Sequence, residues 1–312
     1  MHTVAVLALD GVIPFDLATP IEVFERTRLA DGGPGYEVRI CAETREVDAG
    51  AFRLCAPWGL DGLADADTII VPGVANPLAV PSAAVREAVC AAAAAGARIA
   101  SICSGAFPLA AMGLLAGKRA TTHWAAAELL ATRHPDIEVD PNVLYVDNGG
   151  VLTSAGAAAG LDLCLHMIRR DHGSAVAAEA ARLSVMPLER EGGQAQFIAR
   201  PHPPAPRGAT LEPVLEWLLK NLSRELTLTD IAARAGTSPR TLIRHFRDQT
   251  GTTPLRWLHT ARIRYAQQLL ESTDHTVETI AARAGFGSAT AFRDRFKRTT
   301  GVSPHTYRRT FR

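Results

Sequence analysis

The feature that most restricts the fold is an internal repeat. "LTDIAARAGTSPRTLIRHFRDQTGTTPLRWL" (228–258) and "VETIAARAGFGSATAFRDRFKRTTGVSPHTY" (277–307) are two copies of one unit. "IAARAG" begins at Ile231 and again at Ile280, an offset of 49. Ser238 and Ser288, Leu242 and Phe292, Phe246 and Phe296, Gly251 and Gly301, and Pro254 and Pro304 then correspond at an offset of 50. One residue is therefore inserted just after the shared glycine. Each copy reads as a short helix, a glycine turn and a second helix opened by a serine N-cap, Ser238 or Ser288. Two helices joined by a short glycine-containing turn make a helix-turn-helix.

In the second helix of each copy, Leu242 with Phe246, and Phe292 with Phe296, stand at i, i+4 and face inward. Arg240, Ile243, Arg244 and Arg247 then face outward in the first copy, and Thr290, Arg293, Asp294 and Lys297 in the second. Arginine pairs bidentately with guanine, threonine meets the thymine methyl, and aspartate accepts from cytosine N4. Charge agrees with a nucleic-acid partner. Residues 1–204 hold 15 Lys+Arg against 23 Asp+Glu, a net −8, whereas 205–312 hold 18 against 9, a net +9. The alternative is a helical bundle with a solvated basic surface.

The first two hundred residues follow another rule. "TVAVLAL" (3–9), "YEVRIC" (36–41), "TIIVPG" (68–73) and "ARIASIC" (97–103) read as strands, and all but the second are apolar nearly throughout. Strands covered on both faces have this composition. Helical patterns separate or follow them at about 20–29, 82–95, 105–115 and 158–173, the last closed by Gly173. Strand alternating with helix predicts an open α/β sandwich with a largely parallel sheet, followed by an all-α domain with two helix-turn-helix units. Ligands bind such sheets beyond the carboxyl ends of the strands, where Cys103 stands. The domains expected are 1–198, a proline-rich linker at 199–210 and 211–312, since four prolines fall between Pro201 and Pro206.

The five cysteines have no C-x-x-C spacing, which suggests neither a zinc site nor a disulfide framework, and no cofactor is expected. The start "MHTVAVLALDG" lacks a basic n-region, and the longest charge-free stretch, Ile99–Gly117, contains Ser101, Ser104, Gly105 and Pro108. The expectation is therefore a cytoplasmic protein with no membrane partner.

The C-terminal part, roughly 210–312, resembles the AraC/XylS family of transcription regulators, most closely in "IAARAGFGSATAFRDRFKRTTGVSPHTYRR" (280–309). The resemblance implies two helix-turn-helix units joined by a long helix, here about Arg256–Ser272, with recognition helices in successive major grooves. It puts Arg240, Ile243, Arg244, Thr290, Arg293 and Asp294 at base edges, and Arg298, Arg308 and Arg309 at phosphates. Family members often have a basic residue where this chain has Asp294.

Residues 1–190 resemble the ThiJ/PfpI superfamily, related in fold to class I glutamine amidotransferases. The stretches that carry this are "LDGVIPFDLATPIEVF" (9–24), "TIIVPG" (68–73), "SICSGAFPLAAMGLLAGKRATTHW" (101–124) and "VLTSAGAAAGLDLCLHMIRRDHG" (151–173). "LEREGGQAQF" (188–197) is similar to the branch with a C-terminal AraC/XylS domain. The superfamily cysteine falls on Cys103, its glutamate on Glu22 and a pocket histidine on His123, and the implied ligand pocket also takes in Asp16, Gly73 and Ser104. Superfamily peptidases have histidine directly after the cysteine, and isocyanide hydratases have threonine; this chain has Ser104, and Thr19-Pro20 replaces the usual Gly-Pro.

Three readings of Cys103 follow. It lines the pocket of a domain that senses a small-molecule effector, such as a nitrogen compound, and dimerises the chain. Alternatively it is the nucleophile of an isocyanide hydratase or glyoxalase-type enzyme, with Asp16 and Glu22 assisting. As a third reading it is a redox-sensing thiol. A thiol at a helix N-terminus ionises more readily, and a carboxyl at Glu22, if close, could hydrogen-bond to the sulfur.

Overall fold

A computed structural model describes residues 1–190, 193–197 and 211–311. The chain divides into two compact units, Met1–Gln194 and Ala195–Arg312. The proline-rich linker expected at 199–210 lies outside the described residues.

The first unit is an α/β sandwich. Its strands are β1 (His2–Leu7), β2 (Tyr36–Cys41), β3 (Glu46–Asp48), β4 (Arg53–Cys55), β5 (Thr68–Val71), β6 (Arg98–Ile102), β7 (Arg119–Ala120), β8 (Glu138–Val139), β9 (Tyr145–Asp147) and β10 (Val151–Ser154). Its helices are α1 (Pro14–Arg26), α2 (Ala83–Ala94), α3 (Ala106–Ala111), α4 (Trp124–Arg133) and α5 (Ala158–Leu183). The main sheet has the order β2-β1-β5-β6-β10-β9, parallel throughout except that β9 runs antiparallel to β10. Strand alternation splits the core in two. Val4, Val6, Ile70 and Ile102 pack with Leu17 and Phe24 of α1 and Leu163, Met167 and Ile168 of α5. Leu7, Ile69, Val71 and Ile99 pack on the other face with Val85 and Val89 of α2, Phe107 and Leu109 of α3, and Leu130 of α4. Both faces are thus dry, as the unbroken apolar runs require.

Three helix boundaries differ from the sequence reading. The first helix begins at Pro14, not near residue 20, because a proline at the first position loses no hydrogen bond there. Helix α3 stops at Ala111, before Leu115. Gly113 adopts φ 80°, and the Gly113 and Leu114 N–H groups bond back to Ala110 and Leu109. Gly173 breaks α5 with φ 85°, but the chain re-enters helix and runs on to Leu183. Just before this bend, Asp171 accepts both Nη1 (2.8 Å) and Nη2 (2.7 Å) of Arg98 and the Tyr36 hydroxyl (2.9 Å), tying α5 to β6 and β2. At the sheet edge, Asp147 of β9 is held by His166 (2.7 Å) and by Arg170.

The second unit is all helical. It comprises α6 (Glu212–Lys220), α7 (Leu228–Arg234), α8 (Pro239–Thr250), α9 (Pro254–Ser272), α10 (Val277–Arg283), α11 (Ala289–Thr300) and α12 (Pro304–Phe311). The repeat is visible in its punctuation. Ser238 caps α8 by accepting from Thr241 N–H, and Ser288 caps α11 by accepting from Ala291 N–H. Gly251 and Gly301 close those helices in the left-handed region, at φ 69° and 82°. Each copy has its own core. Ile231, Leu242, Phe246 and Trp257 fill the first, and Ile280, Phe292, Phe296 and Tyr307 the second.

Helix α9 serves both cores, through Trp257, Leu258 and Ala261 on one side and Ile263, Ala266 and Leu270 on the other. Between these sets stands Arg262, only 6% exposed. Its Nε donates to the Leu222 carbonyl (3.0 Å) and its Nη2 to the Arg224 carbonyl (2.5 Å), both just before α7. Gly285, the turn glycine of the second copy, packs here too. A Cβ on it would lie 1.9 Å from the Leu222 carbonyl oxygen and 2.9 Å from Arg262 Nε. The matching Gly236 of the first copy has open space. Arg262→Met should therefore destabilise the C-terminal unit by about 1.5–3 kcal/mol, the value of hydrogen bonds to a charged group. Urea unfolding followed by tryptophan fluorescence checks this, and an unchanged midpoint would show that the two carbonyls do not depend on Arg262.

Candidate functional site

Cys103 stands where β6 ends, in a single 3₁₀ turn (Cys103–Gly105) that leads into α3. Its φ of 58° is left-handed, an uncommon conformation for a residue with a side chain. Neighbouring backbone packs close enough to require glycine. A Cβ at Gly105 would meet the Val71 carbonyl oxygen at 2.1 Å, and one at Gly156 would meet Cys103 Cβ at 2.2 Å. A Cβ at Gly73 would come within 2.3 Å of Asp16 Oδ2 and 3.1 Å of Cys103 Cβ. The ends of β5 and β6, the loop after β10 and the first turn of α1 thus converge on one thiol, at the strand carboxyl ends where such sheets bind ligands.

Asp16 is the carboxyl group of this site. It is 2% exposed, and its Oδ1 accepts from Ala157 N–H (3.0 Å), whereas the buried Oδ2 has, among the described residues, no oxygen or nitrogen partner and only the Cys103 thiol beside the carboxyl. Burial pushes the Asp16 carboxyl up, against the opposing effect of the Ala157 hydrogen bond. The Cys103 thiol is also pushed up, to about 12, first by burial and then by the nearby Asp16 charge. The expectation of an easily ionised thiol is therefore overturned. The helix that follows is only six residues long, less than two turns, and burial with a neighbouring carboxylate pushes the thiol up.

Glu22 does not join this group. It lies in the exposed part of α1 and pairs with Arg26 (2.7 Å), with its side chain 59% exposed. Asp16, six residues and nearly two turns earlier, takes the place beside the thiol that the resemblance gave to Glu22. Ser104 is spoken for as well. Its hydroxyl donates to the Val74 carbonyl (2.8 Å) and accepts from Val74 N–H (2.9 Å), pinning the loop after Gly73. His123 is half-buried and caps α4, with Nδ1 accepting from Ala125 N–H (3.3 Å). Burial lowers its pKa, opposed by the Asp16 charge. The Thr122 hydroxyl donates to the Cys103 carbonyl (2.8 Å). Gln194 grips this wall from behind, donating to Thr121 Oγ1 and the Thr122 carbonyl and accepting from Trp124 N–H.

Sequence reasoning missed Gly156, Ala157 and Gln194. The first two lie in the quoted "VLTSAGAAAG", but only the fold shows that Gly156 touches Cys103 and that Ala157, at φ 47°, aims its N–H at Asp16.

The second unit presents α8 and α11 as the outer helices of its two helix-turn-helix copies. Arg240, Arg244 and Arg247 are exposed and make no ion pair among the described residues; Ile243 is half-buried. Thr290, Arg293, Asp294, Lys297 and Arg298 are exposed on α11, and Arg298 Nε donates to the Asp294 carbonyl (3.3 Å). The hydroxyls of Ser238 and Ser288 are occupied by capping. Arg309 is exposed, but Arg308 is half-buried and donates to the His275 carbonyl (2.5 Å), so part of its guanidinium holds α12 to the loop before α10. No helix among the described residues is long and apolar enough to cross a membrane.

Asp16→Asn removes the charge that raises the Cys103 thiol. The thiol pKa should fall from about 12 yet stay above that of a free thiol, because burial, the larger cause, remains. The pH dependence of alkylation at Cys103, read by peptide mass spectrometry, tests this. Identical profiles in both proteins would show that Asp16 does not act on the sulfur.

Residues 2–170 match the DJ-1/PfpI family and residues 231–310 a helix-turn-helix domain. The chain is 34% identical to the HTH-type transcriptional regulator GlxA of Rhizobium meliloti, over 69% of this chain and 66% of that protein, just under two thirds of its length. It is 25% identical to the HTH-type transcriptional regulator GbdR of Pseudomonas aeruginosa, over 98% of this chain and 84% of that one. The structure of an AraC family transcriptional regulator from Pseudomonas putida superposes with a TM-score of 0.53 at 19% identity, over 59% of this chain and all of that one, which shows a shared fold. The chain belongs to the DJ-1/PfpI family and joins that domain to a C-terminal helix-turn-helix domain of AraC type, the composition of a DNA-binding transcription regulator.

Proposed function

We propose that the chain controls transcription in response to a small molecule bound at the strand ends around Cys103, and that it self-associates through its N-terminal domain. In this reading it acts in the cytoplasm, on double-stranded promoter DNA. The observation that carries the DNA-binding part is the pair of recognition helices, α8 and α11, built on matched caps and cores. Among the described residues, the first leaves Arg240, Arg244 and Arg247 without ion pairs. Unpaired guanidinium groups on such a face suit guanine edges and phosphates.

Among the described residues Asp16 Oδ2 has no oxygen or nitrogen partner, only the weak donor Cys103 beside the carboxyl, which supports an effector that donates a hydrogen bond, as a nitrogen compound with an N–H group does. Regulation then requires the effector to bind two arrangements of the protein with different affinity. The raised Cys103 pKa favours sensing over turnover or redox chemistry, because at neutral pH the thiol stays protonated and the thiolate is the nucleophile.

Arg244→Ala should cost about 1–3 kcal/mol of binding to a duplex selected by the wild-type protein, with relaxed preference at one base position. Fluorescence anisotropy measures the loss, and undiminished affinity would remove Arg244 from base readout. An effector present at about a hundred times its Kd should stabilise the chain by about 2.7 kcal/mol, seen as a raised Tm. A panel of N–H-donating metabolites that leaves Tm unmoved would count against this effector class.

A further inference from the structure

The two helix-turn-helix copies share serine caps and core positions, but among the described residues only the second carries an ion pair between its two helices. In the second copy, Arg293 of α11 reaches back to α10, and its Nη2 meets Glu278 Oε1 at 2.5 Å. The equivalent residues of the first copy are Ile243 and Thr229, which carry no charge. Glu278 is well placed to hold on. It sits in the first turn of α10, behind the Thr276 cap, where free N–H groups and the helix dipole favour a carboxylate. Arg293 is thus the outward arginine of the second recognition helix, and its guanidinium is already engaged. Asp294, next along the same exposed surface, adds a second negative charge.

We propose that Glu278 is a specificity-determining residue of the DNA-binding face, a latch that holds Arg293 away from the bases. This inference rests on the DNA-binding reading above. To contact guanine O6 and N7, Arg293 must exchange a carboxylate for neutral acceptors, and the released carboxylate then faces the phosphate backbone. Both effects penalise engagement of the second copy. The first copy, whose Arg240, Arg244 and Arg247 make no ion pair among the described residues, supplies most of the attraction, and the second is admitted only where the sequence repays release of the latch.

Glu278→Gln tests this, because it removes the charge and keeps the shape. Wild type, Glu278→Gln, Arg293→Ala and the double variant are titrated by anisotropy against a mixed-sequence duplex about three helical turns long. Glu278→Gln should bind about two- to fivefold more tightly than wild type, the range expected for an exposed ion pair. The gain should vanish when Arg293 is alanine. Selection from random duplexes with Glu278→Gln should also yield a stronger guanine preference than wild type shows. Equal affinities and equal selected sites for wild type and Glu278→Gln overturn the latch, as does a gain that persists without Arg293. Wild type that fails to bind duplex even at low salt overturns the DNA-binding reading itself, an outcome distinct from wild-type binding that Glu278→Gln leaves unchanged.

Discussion

A buried guanidinium that faces backbone carbonyls in place of a carboxylate fixes the geometry on which DNA recognition depends. Arg262 lies midway along α9, between the residues that complete the first core and those that complete the second. By bonding to the Leu222 and Arg224 carbonyls it ties the shared helix to the segment that opens the first copy. Gly285 brings the turn of the second copy against the same carbonyl. The two helix-turn-helix copies of the second unit, which could tilt independently on a bare helix, are thereby tied to each other. The proposed reading of two major grooves about a helical turn apart would require this. The cost of burying the charge is offset only while both carbonyls stay in place.

The site in the first unit obeys the opposite logic, in which proximity is won by removing atoms. Gly73, Gly105 and Gly156 let three backbone segments close on Cys103 and Asp16, and the tightness that results dries both ionisable groups. Desolvation disfavours their charged forms, so the Cys103 thiol and the Asp16 carboxyl are both pushed above their ordinary pKa values. Among the described residues, the buried Asp16 oxygen with no oxygen or nitrogen partner is where that arrangement remains incomplete.

Much of this was legible in the sequence, for identifiable reasons. In the second unit, Ser238, Ser288, Gly251, Gly301 and the prolines at 239, 254 and 304 punctuate helices by local chemistry alone, and a repeated pattern doubles the signal. Four of the five parallel strands, β1, β2, β5 and β6, were equally plain, whereas the four-residue β10 was not read as a strand. The hairpin of β3 and β4, the short β7–β8 pair and the antiparallel β9 escaped because two or three residues cannot establish a period. Within the site, sequence placed Cys103 at a strand end, but the choice between Asp16 and Glu22 depended on where α1 begins. Pro14 fixes that start and turns Glu22 to solvent. The Glu278–Arg293 pair was written in the mismatch between the two repeat copies, yet its meaning required knowing that the side chains meet.

The edge strand β9 has a consequence for how such a chain associates. It is three residues long, runs against the direction of the sheet, and carries Asp147 clamped by His166 and Arg170. A margin that short, with a fixed charge on it, offers a neighbouring copy no ladder to extend. Continuous sheets built across molecules are closed off on that side, which shields the protein from fibrous stacking. Any pairing of N-terminal domains that uses this side must be made by side chains meeting side chains.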